Sequence, residues 1–151
     1  MLRLNLPNYD FKMKTEQGSR QIFDPVREKM VKLDPEEWVR QNLIQFLNKD
    51  KNYPISLMAV EKGLTVNKLS KRFDILCYNN DSKPLLLVEC KAPSVKISQA
   101  AFDQISIYNL QFKVPFLLVS NGLEHYCCQL DYEKNSYSFL SEIPDYQNYC
   151  L

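Results

Sequence analysis

Two rhythms of apolar and polar positions divide the chain. Over residues 34–47, Val39, Leu43, Phe46 and Leu47 recur every three to four positions, the spacing of one buried helical stripe. Asp34 precedes the stripe as an N-cap, Pro35 suits the first helical position, and Glu37 completes a capping box. Glu36 and Arg40 fall on the stripe, so Glu36 is expected to face the body of the domain and Glu37 to lie to one side. After that helix the apolar runs are shorter. Residues 55–60 and 71–78 read as strands, and Asn79-Asn-Asp-Ser-Lys83 between the second of these and the next run is a dense turn signal. Residues 85–90 are apolar enough for a central strand covered on both faces, and Ala92-Pro93 ends it. Helical spacing returns over residues 97–110, with Ala101, Ile105 and Tyr108 on one side. Residues 115–120 form a further buried strand, Asn121-Gly122 a turn, and residues 126–130 and 136–140 closing strands. The first 33 residues are a polar arm with a short strand or hairpin near residues 21–23, and residues 141–151 are a polar, aromatic tail. Helices interleaved with strands imply an α/β fold, a mixed central sheet flanked by helices.

Composition narrows the function classes. The 151 residues amount to a single domain, and 45% hydrophobic with 25% charged residues excludes a disordered chain. A formal net charge of +1 excludes a strongly basic nucleic-acid wrapper but leaves room for a local basic groove. No apolar run approaches the roughly 18 residues of a membrane span. Residues 1–14 lack the features of a signal peptide, so a cytoplasmic location is expected. The five cysteines, Cys77, Cys90, Cys127, Cys128 and Cys150, form no CxxC pair, and His125 is the only histidine. A structural zinc site and Cys–His or Ser–His–Asp catalysis are therefore disfavoured. Cys77 and Cys90 read as reduced core residues, and His125 as a surface or strand residue.

The chemistry concentrates in Arg72-Phe-Asp-Ile-Leu-Cys-Tyr and Leu85-Leu-Leu-Val-Glu-Cys-Lys. An antiparallel hairpin about the 79–83 turn would pair Tyr78 with Leu85, Leu76 with Leu87, Asp74 with Glu89, and Arg72 with Lys91. Strict alternation then projects all of these to one face. Facing carboxylates in a sheet repel each other, and Lys91 or a hard divalent cation would offset the cost. Such a set suits metal-assisted phosphodiester hydrolysis, with Lys91 stabilising developing charge. The bland reading is a salt bridge from Asp74 or Glu89 to Lys91 or Arg72; the apolar flanks argue against a solvated face.

Asp74, fourteen residues, then Glu89-Cys90-Lys91 resembles the signature of the PD-(D/E)xK nuclease superfamily. Pro35-Glu-Glu-Trp-Val-Arg-Gln41, Arg72-Phe-Asp-Ile75, Val88-Glu-Cys-Lys-Ala-Pro93, Gln104-Ile-Ser-Ile-Tyr-Asn109 and Asn121-Gly122 together resemble the N-terminal nuclease domain of type I restriction enzyme R subunits. The resemblance covers about residues 25–130, leaving an arm at 1–24 and a C-terminal β extension at 125–151. It implies a restriction-endonuclease-like fold and DNA cleavage dependent on Mg²⁺ or Mn²⁺. Asp74 and Glu89 would be metal ligands, the backbone carbonyl of Cys90 a third, and Lys91 the catalytic lysine. The helix acid of the superfamily maps onto Glu36, with Glu37 the alternative one residue away. Gln104 and Tyr108 match a Gln-x-x-x-Tyr motif, implying a role at the catalytic end; ordinary helix packing explains the pair equally well. R subunits carry a helicase-like motor behind this domain, and no phosphate-loop pattern occurs here, so the chain reads as a standalone nuclease-like domain. A protein partner could supply specificity or a motor.

Among the scattered basic residues, Lys68, Lys71, Arg72 and Lys96 flank the acidic motif and could touch phosphates; solubility is the simpler reading for most. Trp38 lies opposite the stripe of its helix, to pack beneath the N-terminal arm or mark a partner surface. Tyr126, Tyr132, Tyr137, Tyr146 and Tyr149 suit strand packing better than base stacking. Two other functions compete with a deoxyribonuclease. One is a catalytically idle DNA-binding or assembly module on the same fold, and the other an enzyme of RNA or structured junctions.

Overall fold

A computed structural model describes residues 1–149 and contains a six-stranded sheet whose strands lie side by side in chain order. Its strands are β4 (Met58–Val66), β5 (Leu69–Tyr78), β6 (Pro84–Cys90), β7 (Phe116–Ser120), β8 (His125–Asp131) and β9 (Ser136–Leu140). Only the β6–β7 neighbours are parallel; the others are antiparallel. A parallel pair needs a crossover, and helix α2 (Gln99–Asn109) supplies it. The mixed α/β sheet expected from the sequence is present.

Two cores sandwich this sheet. Helix α1 (Pro35–Lys49) lays Val39, Leu43, Ile44 and Leu47 against Ile75, Cys77, Val88, Cys90 and Leu118 on one face. Helix α2 lays Phe102 against a second cluster with Phe73, Leu76, Leu87, Leu117 and Val119. The innermost strands β6 and β7 are buried almost throughout, as their apolar runs require.

The first residues form a second, three-stranded antiparallel sheet of β1 (Met13–Glu16), β2 (Ser19–Asp24) and β3 (Lys29–Lys32), larger than the hairpin expected there. Arg27, in the β2–β3 turn, ties this sheet to α1: its Nε donates to Asp24 Oδ2 at 2.5 Å and its Nη2 to Glu37 Oε1 at 2.8 Å. Trp38 does pack under the arm, donating Nε1–H to the Leu2 carbonyl at 2.8 Å and meeting the Phe11 ring at 5.1 Å. Apolar and polar layers thus cover α1 on both sides, which is why it buries more than one stripe.

Asp34 caps α1 as expected, accepting from the Glu37 N–H at 2.7 Å. The capping box does not form, because the Glu37 side chain is drawn to Arg27, Arg40 and Gln41 instead. Strand β4 starts later than expected, after a 3₁₀ turn at Ile55–Leu57, and continues to Val66. The tail docks rather than trails. Tyr53 donates its hydroxyl to the Pro144 carbonyl at 2.9 Å, and Ile143 and Tyr146 join the α1-side core ahead of and within the short helix α3 (Tyr146–Tyr149). Cys77, Cys90, Cys127 and Cys128 are buried free thiols; Cys150 lies outside the described residues. His125 opens β8, with Nδ1 2.7 Å from Ser120 Oγ and Nε2 2.8 Å from the Asn5 carbonyl.

Candidate active site at the end of the central hairpin

The site grows out of the β5–β6 hairpin. Its register pairs Ile75 with Val88, Leu76 with Leu87 and Cys77 with Leu86, the alignment read from the sequence. A bulge at Cys77/Tyr78 corrects the turn end: Tyr78 faces Pro84, not Leu85. The ladder stops at Ile75–Val88, so Asp74 and Glu89 are not a cross-strand pair. Alternation also slips there. Phe73 and Leu76, three residues apart, both lie in the α2-side core, whereas Ile75 lies in the α1-side core. The expectation that Arg72, Asp74, Glu89 and Lys91 share one face is corrected accordingly.

The slip sends the two acids to different neighbours. Asp74 Oδ2 accepts from the Cys90 backbone N–H at 2.7 Å, bridging the two strand ends. Burial pushes the Asp74 carboxyl above the usual aspartate range, and the Glu89 charge adds to this; the Cys90 N–H, Arg40 and Lys91 pull it down. Glu89, 8% exposed, turns toward α2: Lys71 Nζ contacts its Oε1, and Asn109 Nδ2 donates to the same oxygen at 3.3 Å. Lys91 is half-buried, its backbone N–H donating to the Ser120 carbonyl at 2.8 Å. Its charge reaches both Asp74 and Glu36.

The two helix acids exchange the roles expected of them. Glu37 is the buried one, held by Arg27, by Gln41 at 3.0 Å and by Arg40 at 3.3 Å, so it is a structural counterion. Glu36 is exposed rather than facing inward, yet it stands close enough for charge interaction with Asp74 and Lys91. Burial raises its carboxyl above the usual glutamate range, with Asp74 the next contributor. No described residue hydrogen-bonds its carboxylate.

The remaining candidates separate. Tyr108 is half-buried, its ring 5.0 Å beneath Lys71 Nζ and 5.9 Å from the Phe112 ring. Gln104 is exposed, and its side chain hydrogen-bonds no described residue, Tyr108 included. The side of α2 turned to the sheet centres on Phe102, Ser106 and Asn109, with the partly buried Ile105 and Tyr108 also packed against the core there. Arg72 and Lys96 are exposed, with no hydrogen bond or ion pair among the described residues. Lys71, read from the sequence as a possible phosphate contact, and Asn109, the last residue of the quoted helix motif, meet Glu89 instead; strict alternation puts Lys71 on the other face, so that contact was not expected.

Among the described residues, no group of three or more His, Cys, Asp and Glu side chains is arranged to hold a metal ion. The donor set fits a partly hydrated hard cation better than a closed cage. Asp74 raises the cost of ionising Glu36, and Glu89 that of ionising Asp74, a cost that a divalent charge would offset. Asp74 has Oδ1 free of hydrogen bonds, and Glu89 has Oε2 free, among the described residues.

Comparison with known proteins agrees with this architecture. No curated protein matches the chain. A solved fragment assigned to the HsdR subunit of a type I restriction enzyme from Vibrio vulnificus YJ016 superposes with a TM-score of 0.52 at 20% identity, over 76% of this chain. That alignment spans 24% of the other chain and is a likeness of fold. The model of the type I restriction enzyme R protein N terminus matches residues 35–144, from the first residue of α1 to the docked tail. The chain therefore belongs to the family of type I restriction enzyme R protein N-terminal domains.

Proposed function

We propose that the chain is a metal-dependent nuclease domain that hydrolyses DNA phosphodiester bonds in a restriction or defence setting. The observation that carries this reading is the Asp74 carboxylate, pinned to the Cys90 N–H at the strand end with Glu36, Glu89 and Lys91 within charge range. Asp74 is costly to keep ionised where it is buried beside Glu89, and a divalent cation at the strand end would offset that cost. Asp74 and Glu89 would hold Mg²⁺ or Mn²⁺, with the Cys90 carbonyl as a third ligand. When bound, that ion supplies Lewis acidity to the phosphate and a more acidic water.

The side chains provide the rest. Lys91, whose Nζ has no hydrogen-bond partner among the described residues, would donate to the attacking water or to a non-bridging phosphate oxygen and offset its growing negative charge. Glu36, on the exposed side of the cluster, would orient water from the solvent face. Arg72 and Lys96 would meet the DNA backbone without reading bases, leaving sequence choice to a partner subunit.

The test is cleavage of supercoiled and linear DNA during Mg²⁺ and Mn²⁺ titration, comparing the wild type with Glu89→Ala and Lys91→Ala. Metal-dependent cutting lost in both variants supports the nuclease. Equal DNA binding by all three proteins with no cutting at any metal concentration favours the idle module.

A further inference from the structure

We propose that Lys71 and Asn109 are positioning residues for Glu89: a clamp that grips one carboxylate oxygen and leaves the other for the metal. The inference rests on the nuclease reading above and assigns the side chains that set its geometry. Three groups close a ring. Lys71 Nζ contacts Glu89 Oε1 and lies 3.3 Å from Asn109 Oδ1, and Asn109 Nδ2 donates to Glu89 Oε1 at 3.3 Å. Asn109 is fully buried, so its amide cannot swing to solvent. The ammonium sits over two aromatic rings, 5.1 Å from the Phe73 centroid and 5.0 Å from that of Tyr108, which favours a cation there. The sequence slip at Asp74–Ile75 is what brings Lys71 to this face at all.

The consequence is an oriented ligand. Both donors hold Oε1, and Oε2 has no hydrogen-bond partner among the described residues. Partners of this kind fix a ligating carboxylate and commonly change metal affinity about 10–100-fold when removed. Asn109 spans β5 and β6 from the end of α2, so the helix that closes the β6–β7 crossover also sets the acid. Tyr108 acts through Lys71 rather than on substrate.

A double-mutant cycle on the metal-free full chain tests the clamp itself. Lys71→Met should lower Tm by more than about 3 °C, because it strands a buried carboxylate. In a Glu89→Gln background the same change should cost much less. Additive effects would overturn the clamp, whatever metal does. Calorimetric Mn²⁺ titration tests the consequence: Lys71→Met and Asn109→Leu should weaken binding about tenfold or more, and Lys71→Arg should recover most of it. Tighter binding by Lys71→Met would overturn the positioning role, since Lys71 would then be a competitor for the metal's place. Coupling in the cycle without Mn²⁺ binding by the wild type would leave the clamp standing on Glu89 and remove the metal from the proposed function.

Discussion

Asp74 carries a carboxyl that burial and the Glu89 charge make costly to ionise. Its raised carboxyl means that the folded chain binds a proton more readily than the unfolded chain. Stability from that group is therefore fully present below the unfolded aspartate range and lost as pH rises through the raised folded value. Asp74→Asn should remove this pH dependence, raise Tm at neutral pH without metal, and abolish cutting. A thermal-melt series against pH checks the first two, and a lower Tm for Asp74→Asn at neutral pH would contradict them. Glu37, by contrast, is buried among partners that the chain supplies: Arg27, Arg40 and Gln41. Arg27→Ala removes the cation shared by Glu37 and the fully buried Asp24, leaving Glu37 to Arg40 and Gln41 and Asp24 to backbone N–H groups, and should cost about 3 kcal/mol, read from chemical denaturation. Glu36→Gln should leave stability nearly unchanged, since that acid is exposed and unpaired among the described residues.

At the level of elements, the hairpin was legible in its interior and illegible at its end. Leu76 and Leu87 pair as the turn symmetry dictates. Beyond them the pattern offers Phe73, Asp74 and Ile75, and an apolar residue on either side of the acid reads the same whether alternation holds or slips. Phe73 takes the α2 side because Phe112 offers an edge-on ring 5.2 Å away, a contact far off in sequence. Glu36 and Glu37 were ambiguous for a related reason. The stripe of α1 ranks Glu36 inward, but Arg27, ten residues upstream of Glu37, overrides it with an ion pair no helical period encodes. The N-cap at Asp34 was legible because its partner is three residues away. Asn121-Gly122 was read as a turn, and the glycine has a second reason to be there. Gly122 has φ +86°, and a Cβ would fall 2.8 Å from Leu4 Cδ2 and 3.1 Å from Val39 Cγ2. Gly122→Ala should destabilise by more than about 1 kcal/mol and loosen the arm, whose Asn5 N–H donates to the Gly122 carbonyl at 2.8 Å. Faster amide exchange at Asn5 checks the second effect.

Across the whole molecule, α1 is the shared wall between the N-terminal sheet and the central sheet, and its first turn carries Glu36 to the site. The fold class followed from the order of helices and strands, and the family from five ordered motifs, whereas the extent of the N-terminal sheet did not, because β1 is exposed throughout and has no buried alternation to read. Among the described residues, no helix is long and apolar enough to cross a membrane. With a net charge of +1, the DNA contact proposed above would rest on local cations such as Arg72 and Lys96, so Arg72→Ala with Lys96→Ala should weaken binding of all duplexes alike and flatten its salt dependence. A change in sequence preference in a filter-binding series would contradict that assignment. The decisive measurement is the anomalous-scattering map of crystals soaked in Mn²⁺. The nuclease reading predicts a peak at the β5–β6 strand end in contact with Asp74 and Glu89, absent in Asp74→Asn. A map with no peak there, or one unchanged in the variant, would contradict it.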